Sequence, residues 1–375
     1  MSRVSRLTVG LVCGGRSGEH EVSLVSGASV YRALDPRRYR VIPIVISHQG
    51  RWHLVQPPGD DAAFLLRSTD PEVLLAAGPR PLLRVPRGGG RYVTRAVDAF
   101  FPVLHGPYGE DGTIQGLFEM CGAPYVGAGV LGSAIGMDKV AMKAIFEKAH
   151  LNVAPYVGFT TEEWRRDRIR IEERILRELG LPCFIKPANS GSSVGITKVK
   201  DVDDLAPAII TALRFDRKVV AEKAIVGKEI ECSVLGNAEP EASLPGEVIP
   251  SREFYDYHDK YLGGQTRFVL PAAVPAETTE AIRKAAIAAY RATDCSGMAR
   301  VDFFLDADGV LYVNEINTIP GFTNISMYPK MWQTSGIPYA KLLDRLIRLA
   351  IARFKDRSRL KTTWRQGESL VKKGA

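Results

Sequence analysis

The sequence predicts a parallel α/β unit followed by two α+β units, and three observations carry that reading. At the start, an apolar strand over residues 7–13, a helical stretch over about 23–34 and the apolar run Tyr39–Ile46 follow one another in the rhythm of a parallel sheet. In the middle, short strands cluster around a highly charged helical stretch. Near the end, two apolar runs flank Asp306-Ala307-Asp308-Gly309, the pattern of an antiparallel hairpin.

In the first unit, ligands are expected at the carboxyl ends of the strands. Gly14-Gly15 and the segment HGPYGEDG, residues 105–112, both follow apolar runs and belong on that rim. Arg3 and Arg6 before the apolar run imitate a signal peptide, but no small-x-small cleavage pattern follows, so the segment reads as a buried strand. Further on, residues 133–150 read as one helix and 161–179 as a second. Strands are expected over 182–187, 196–199, 219–223 and 229–235, with a closing helix over 339–354. The boundaries implied are 1–130, 131–226 and 227–354, with 355–375 as a basic tail expected to be disordered.

The chain carries a formal charge of +8, with a pI near 9.2. Eight Lys or Arg and two acids lie between Arg353 and Ala375, so the remaining 352 residues are nearly neutral at +2. A nucleic-acid partner is therefore not expected, and truncation at Arg353 is expected to spare function. No apolar run approaches the roughly 20 residues of a membrane helix. Five cysteines without a C-x-x-C pair fit a reducing cytoplasm.

The hairpin is the strongest chemical signal. With Asp308-Gly309 as a two-residue turn, Asp302 stands opposite Glu315 and Arg300 opposite Asn317. Period-two alternation then puts all four on one face, a hard oxygen cluster suited to Mg²⁺ and the phosphates it accompanies. A second signal is Asn189-Ser-Gly-Ser-Ser-Val-Gly195 after Lys186-Pro187, where small residues let backbone N–H groups converge on an anion. A flexible hairpin loop explains it equally well. Gly127-Ala-Gly129-Val-Leu-Gly132 matches a dinucleotide fingerprint, but it is not at the first βα turn and no acidic residue ends a following strand. It reads as a turn between domains. No Walker loop, nucleophile elbow or Cys-His pair occurs.

Taken together, GGRSGEHEVSLVSG, HGPYGEDGTIQG, the segment 186–195, EFYDYHDKYL, ARVDF and NEINTIPGFTNIS resemble the D-alanine:D-alanine ligases of the ATP-grasp superfamily, in matching order from about residue 7 to 350. The resemblance implies an ATP-grasp fold whose two α+β domains clasp ATP. It implies Glu19 as partner of the first D-alanine ammonium, linked to Ser192 and to Tyr261 of a lid, with His105 also at the substrate. It implies that Lys139, Lys186 and Lys260 hold phosphates, that Glu222 reads the adenine amino group and that Glu229 binds the ribose. Asp302, Glu315 and Asn317 would ligate two Mg²⁺ (or Mn²⁺), and Arg300 and the Gly321 N–H would stabilise the oxyanion. Ser326 and Met327 would hold the second carboxylate, by hydroxyl and backbone.

The implied reaction makes D-alanyl-D-alanine through a D-alanyl phosphate, in a cytoplasmic homodimer. Rivals are a D-alanine:D-lactate or D-alanine:D-serine ligase, the lactate-using members usually departing at the tyrosine that stands here as Tyr261 in its full FYDYHDKYL context; another ATP-grasp ligase acting on larger amino acids or carbonate, opposed by GEHEVS and NTIPGFTNIS; and a polyanion-binding protein.

Overall fold

The computed structural model describes residues 6–60, 62–78, 81–87, 89–191, 194–250, 266–323 and 325–361. Its first sheet is parallel at the centre. The strand Leu7–Gly14 pairs in parallel with Tyr39–Ile46 on one side and Ala99–Pro102 on the other, and Trp52–Leu54 adds an antiparallel edge. Leu7–Gly14 is buried along most of its length, as a strand covered on both faces must be. Both expected loops do leave from one rim. Ser23 ties them there, its hydroxyl accepting from Gly14 N–H at 2.8 Å and donating to Val103 O.

The middle unit is the antiparallel sheet of Tyr156–Thr160, Lys218–Lys223, Cys183–Pro187 and Thr197–Val199. Two helices expected as continuous are broken, each at an aspartate. Asp138 separates Val130–Met137 from Lys139–Lys148, and its Oδ1 accepts the N–H groups of Val140 and Ala141. Asp167 separates Thr161–Arg166 from Arg168–Glu178 and caps the latter through Arg170 N–H. An aspartate whose side chain satisfies orphan N–H groups starts a new helix rather than continuing the old one.

The last large sheet centres on Gly227–Gly236, which pairs with Gly246–Ile249 and Gly297–Asp306; the latter pairs with Leu311–Asn317. The helix Ala276–Ala292 buries Ile282, Ala286, Ala289 and Tyr290 against it. A small sheet, Leu74–Ala76, Leu82–Pro86 and Tyr92–Ala96, was not expected; its strands are short and carry little apolar alternation. The glycine-rich 127–132 segment makes close backbone approaches. A Cβ on Gly132 would lie 2.9 Å from Asp294 O, and Gly297 packs on the backbone of Gly127.

The expected start of the tail is corrected. The last helix runs over Tyr339–Ser358, and its Leu342, Leu343, Leu346 and Ile347 share a core with Val9, Leu11 and Phe101 of the first sheet. Arg353 is a fastening within it. Its guanidinium donates to Gly127 O, Ser296 Oγ and Tyr125 O and lies 4.4 Å above the Tyr125 ring. Arg353→Met is therefore expected to cost about 1–3 kcal/mol, since three acceptors lose a charged donor. Urea unfolding measures this, and truncation after Lys361 is expected to leave the midpoint unchanged.

Candidate active site

Glu19 is the N-cap of the helix His20–Ala33 and is 8% exposed. Two glycines make room for its carboxylate. A Cβ on Gly106 would stand 2.7 Å from Glu19 Oε2, and one on Gly191 would stand 2.8 Å away. The HGPYGEDG loop and the glycine-rich loop thus close on Glu19 from two sides, and Gly106, at φ +71°, also needs the left-handed region.

The same HGPYGEDG loop grips the segment that follows the acidic hairpin. Glu110, which sequence reading passed over, accepts Gly106 N–H at 2.8 Å and Ile319 N–H at 3.0 Å. His105 Nδ1 faces Ile319 O at 3.0 Å and must donate, because a carbonyl only accepts; Nε2 is then left to accept from the Ser26 hydroxyl at 3.3 Å. Burial holds His105 below its ordinary range, against the pull of Glu19 upward. Both ring nitrogens are used within the protein, so His105 acts here as a brace of Ile319.

Burial, and then the charge of Glu19, push the Glu110 carboxyl up to about 8 from 4.5. A native state that keeps a proton lost by the unfolded chain becomes less stable as pH rises through that window. Glu110→Gln is expected to reduce the loss of melting temperature between about pH 5 and pH 8, checked by thermal melts of both proteins.

The hairpin places its four residues as expected, by a different route. Arg300 pairs with Asn317 and Asp302 with Glu315, but from Phe303–Val313 to the tip the register is shifted by one. The turn holds three residues, Ala307-Asp308-Gly309, with Gly309 at φ +79° and Asp306 Oδ1 accepting from Asp308 and Val310 N–H. A β-bulge at Asn314 compensates for the longer turn. The face also extends one strand further, because Glu231 pairs with Asp302 across the sheet.

Arg300 organises these acids. It donates to Asp302 through Nε and Nη2, each at 2.7 Å, and lies 3.3 Å from Glu231 Oε2. Asn317 Nδ2 donates to Asp302 Oδ2 at 3.0 Å, which leaves the Asn317 carbonyl oxygen as its acceptor atom.

Lysines stand across from the acids. Lys139 Nζ donates to Ser190 O at 2.7 Å and lies 3.8 Å from Glu315 Oε2, joining the glycine-rich loop to the hairpin. Lys186 Nζ donates to Glu222 Oε2 at 2.7 Å. Burial would discharge Lys186, but Glu222, Glu315 and Glu229 together hold its ammonium charged. Glu222 has a second partner that sequence reading missed, Lys143, fully buried with Nζ 3.3 Å from Glu222 Oε1. Burial would raise the Glu222 carboxyl, yet Lys143 and Lys186 bring it down to about 2.

Gly321 packs against Ser326, whose hydroxyl would lie 2.8 Å from a Cβ there. Ser326 is the N-cap of the helix Met327–Thr334. The Met327 side chain is buried with Val248 and Met331, so only its backbone is available to a ligand. Such a helix start favours a carboxylate. Ser192, Lys260 and Tyr261 lie outside the described residues.

A family model described as the D-ala D-ala ligase N-terminus matches residues 8–128, and one described as the C-terminus matches 145–348. The chain is 48% identical over 358 residues to the D-alanine–D-alanine ligase of Geobacillus thermodenitrificans, covering 95% of this chain and 98% of that one. Among solved structures, the D-alanine-D-alanine ligase of Coxiella burnetii superposes with a TM-score of 0.83 at 36% identity, over 94% of this chain and 96% of that one. The VanG D-Ala:D-Ser ligase of Enterococcus faecalis gives 0.78 at 34% identity, over 92% and 100%. A mixed α/β architecture, a cluster of basic and acidic side chains that reaches Glu19, and both halves of the family pattern lead to one conclusion: this chain belongs to the D-alanine–D-alanine ligase family.

Proposed function

We propose that this protein joins two D-alanine molecules into D-alanyl-D-alanine, converting ATP to ADP and phosphate, for peptidoglycan precursor synthesis. The observation that carries this reading is the chain of contacts from Glu19 to the glycine-rich loop, from that loop to Lys139, and from Lys139 to the acidic hairpin. Lys139 and Lys186 would neutralise phosphates, and Glu222, bonded to Lys186, and Glu229, whose charge acts on it, would hold the nucleotide base and ribose. Glu19, buried against two glycines, offers a carboxylate to a primary ammonium.

Asp302, Glu315 and the Asn317 carbonyl form a hard oxygen set that fits Mg²⁺ or Mn²⁺. Bound there, two such ions would offset the charge of the transferring phosphoryl group. The D-alanine carboxylate attacks the γ-phosphorus of ATP, and ADP leaves; the amine of the second D-alanine then displaces phosphate from the acyl phosphate and loses a proton. Arg300 and the Gly321 N–H face the developing oxyanion, while the Ser326 hydroxyl and Met327 N–H hold the second carboxylate. Lys260 and Tyr261 are assigned to a lid that excludes water from the acyl phosphate, with Ser192 linking that lid to Glu19. Five buried, unpaired cysteines fit a cytoplasmic enzyme, and among the described residues no helix is long and apolar enough to cross a membrane. The domain boundaries near 130 and 226 and a homodimer complete the reading, the exposed Leu117, Met120 and Leu131 offering apolar surface to a second copy.

A phosphate-release assay with D-alanine, D-lactate, D-serine and L-alanine tests the reading. Release is expected with D-alanine alone, with the dipeptide as product. Equal release with L-alanine would overturn the substrate assignment, and preference for mixed D-alanine and D-serine would move the chain to the specificity named for the Enterococcus structure.

A further inference from the structure

We propose that His20, Glu21 and His48 form a binding site for a transition-metal ion of the zinc class, separate from the acidic hairpin. One donor atom from each of the three lies within 4.8 Å of the others. A tetrahedral zinc ion with ligands at about 2.0–2.2 Å needs donors roughly 3.3–3.6 Å apart, so the cluster must contract by about 1 Å. His48 and Glu21 can supply that movement, since their side chains are 57% and 71% exposed.

The third ligand is already set. His20 is buried at the first position of its helix, and its Nδ1 lies 2.7 Å from Gly15 O. Because a carbonyl only accepts, Nδ1 carries the proton and the lone pair falls on Nε2. A backbone carbonyl behind the distal nitrogen is the support that metal-bound imidazoles receive, fixing both tautomer and ring plane.

His48 stacks on His20 with centroids 3.9 Å apart and planes 24° from parallel, and its Nε2 lies 3.4 Å from Glu21 Oε1. Binding replaces this stack: the exposed His48 ring must swing about its side-chain bonds so that its in-plane lone pair meets that of His20, with Glu21 already at its edge.

The backbones that carry the three are pinned. His48 sits in the turn after the strand Tyr39–Ile46, where Ser47 N–H bonds Arg51 O at 2.8 Å and Gly50 N–H bonds Ser47 O at 2.9 Å. That strand end is registered against Gly14, and Gly15 N–H bonds Ile46 O at 2.8 Å. Two elements 28 residues apart in sequence therefore present their imidazoles by sheet register rather than by chance of loop shape. The positive end of the helix opposes a cation, and Glu21 offsets it. Two nitrogens and one carboxylate select zinc-class ions over magnesium, and three ligands leave one position open to solvent.

Occupancy would tie the Ser47–Gly50 turn to the helix turn that begins just after Glu19. The inference itself does not depend on what Glu19 binds.

Calorimetric titration of the full chain with zinc chloride, in excess magnesium to fill the hairpin, tests the site. One zinc per chain is expected for the wild type. His48→Ala is expected to weaken binding by about tenfold or more with unchanged circular dichroism, while Asp302→Asn retains the zinc. Absence of zinc binding in magnesium, or equal binding by wild type and His48→Ala, would overturn the proposal whether or not the ligase reading holds.

Discussion

Replacing Arg300 by lysine is expected to lower kcat for phosphate release from ATP and D-alanine about 10²- to 10³-fold while the protein stays folded. Arg300 spends two donors on Asp302 and faces Glu231. Burial would discharge the guanidinium, but Asp302 and Glu231 drive it well the other way. Lysine keeps the charge that balances these acids, so the fold should survive. A single ammonium cannot grip both oxygens of Asp302 and still face the reacting carbonyl. Steady-state kinetics beside a thermal melt separates the two effects, and an unaltered kcat would remove Arg300 from the role given to it.

The second large effect concerns stability. Lys143→Met is expected to cost about 1–3 kcal/mol, because Glu222 Oε1 loses a charged partner while Lys186 still holds Oε2. Glu222, held near 2, contributes stability that is present above its ordinary 4.5 and is lost as pH falls through the folded value. The variant should therefore unfold at higher pH on acidification. Adding Glu222→Gln should recover none of the loss, since the buried Lys186 ammonium then loses its nearest carboxylate. Urea unfolding of the single and double variants decides this; equal stability of wild type and Lys143→Met would mean that the buried pair carries no net weight.

How much of this was legible in the sequence differs by residue. Asp302, Glu315, Arg300 and Asn317 could be placed on one face because alternation and a turn signal are local. The first strand, helix and strand were legible for the same reason. Lys143 and Glu110 were not, since nothing in MDKVAMKAIFEK or HGPYGEDG says which charge will be buried; their partners, Glu222 and Ile319, come from distant segments. Glu231 could have been found. With Glu229 it forms a period-two acidic pair alternating with the apolar Ile230 and Cys232, which marks a face that meets something other than core. The helix breaks at Asp138 and Asp167 were also written locally, as aspartates poised to cap, but an unbroken run of helix-forming neighbours outweighed them.

The bulge at Asn314 makes the hairpin unevenly tolerant of changes in length. Adding or deleting a residue among Ala307, Asp308 and Gly309 alters only the loop, because the ladder from Leu305–Leu311 back to Arg300–Asn317 pairs without reference to it. Deleting Asn314 keeps the same partners yet straightens the strand that turns Glu315 relative to Asp302. Variation among related chains should accordingly collect at the tip, and the residue count between Val313 and Glu315 should stay constant.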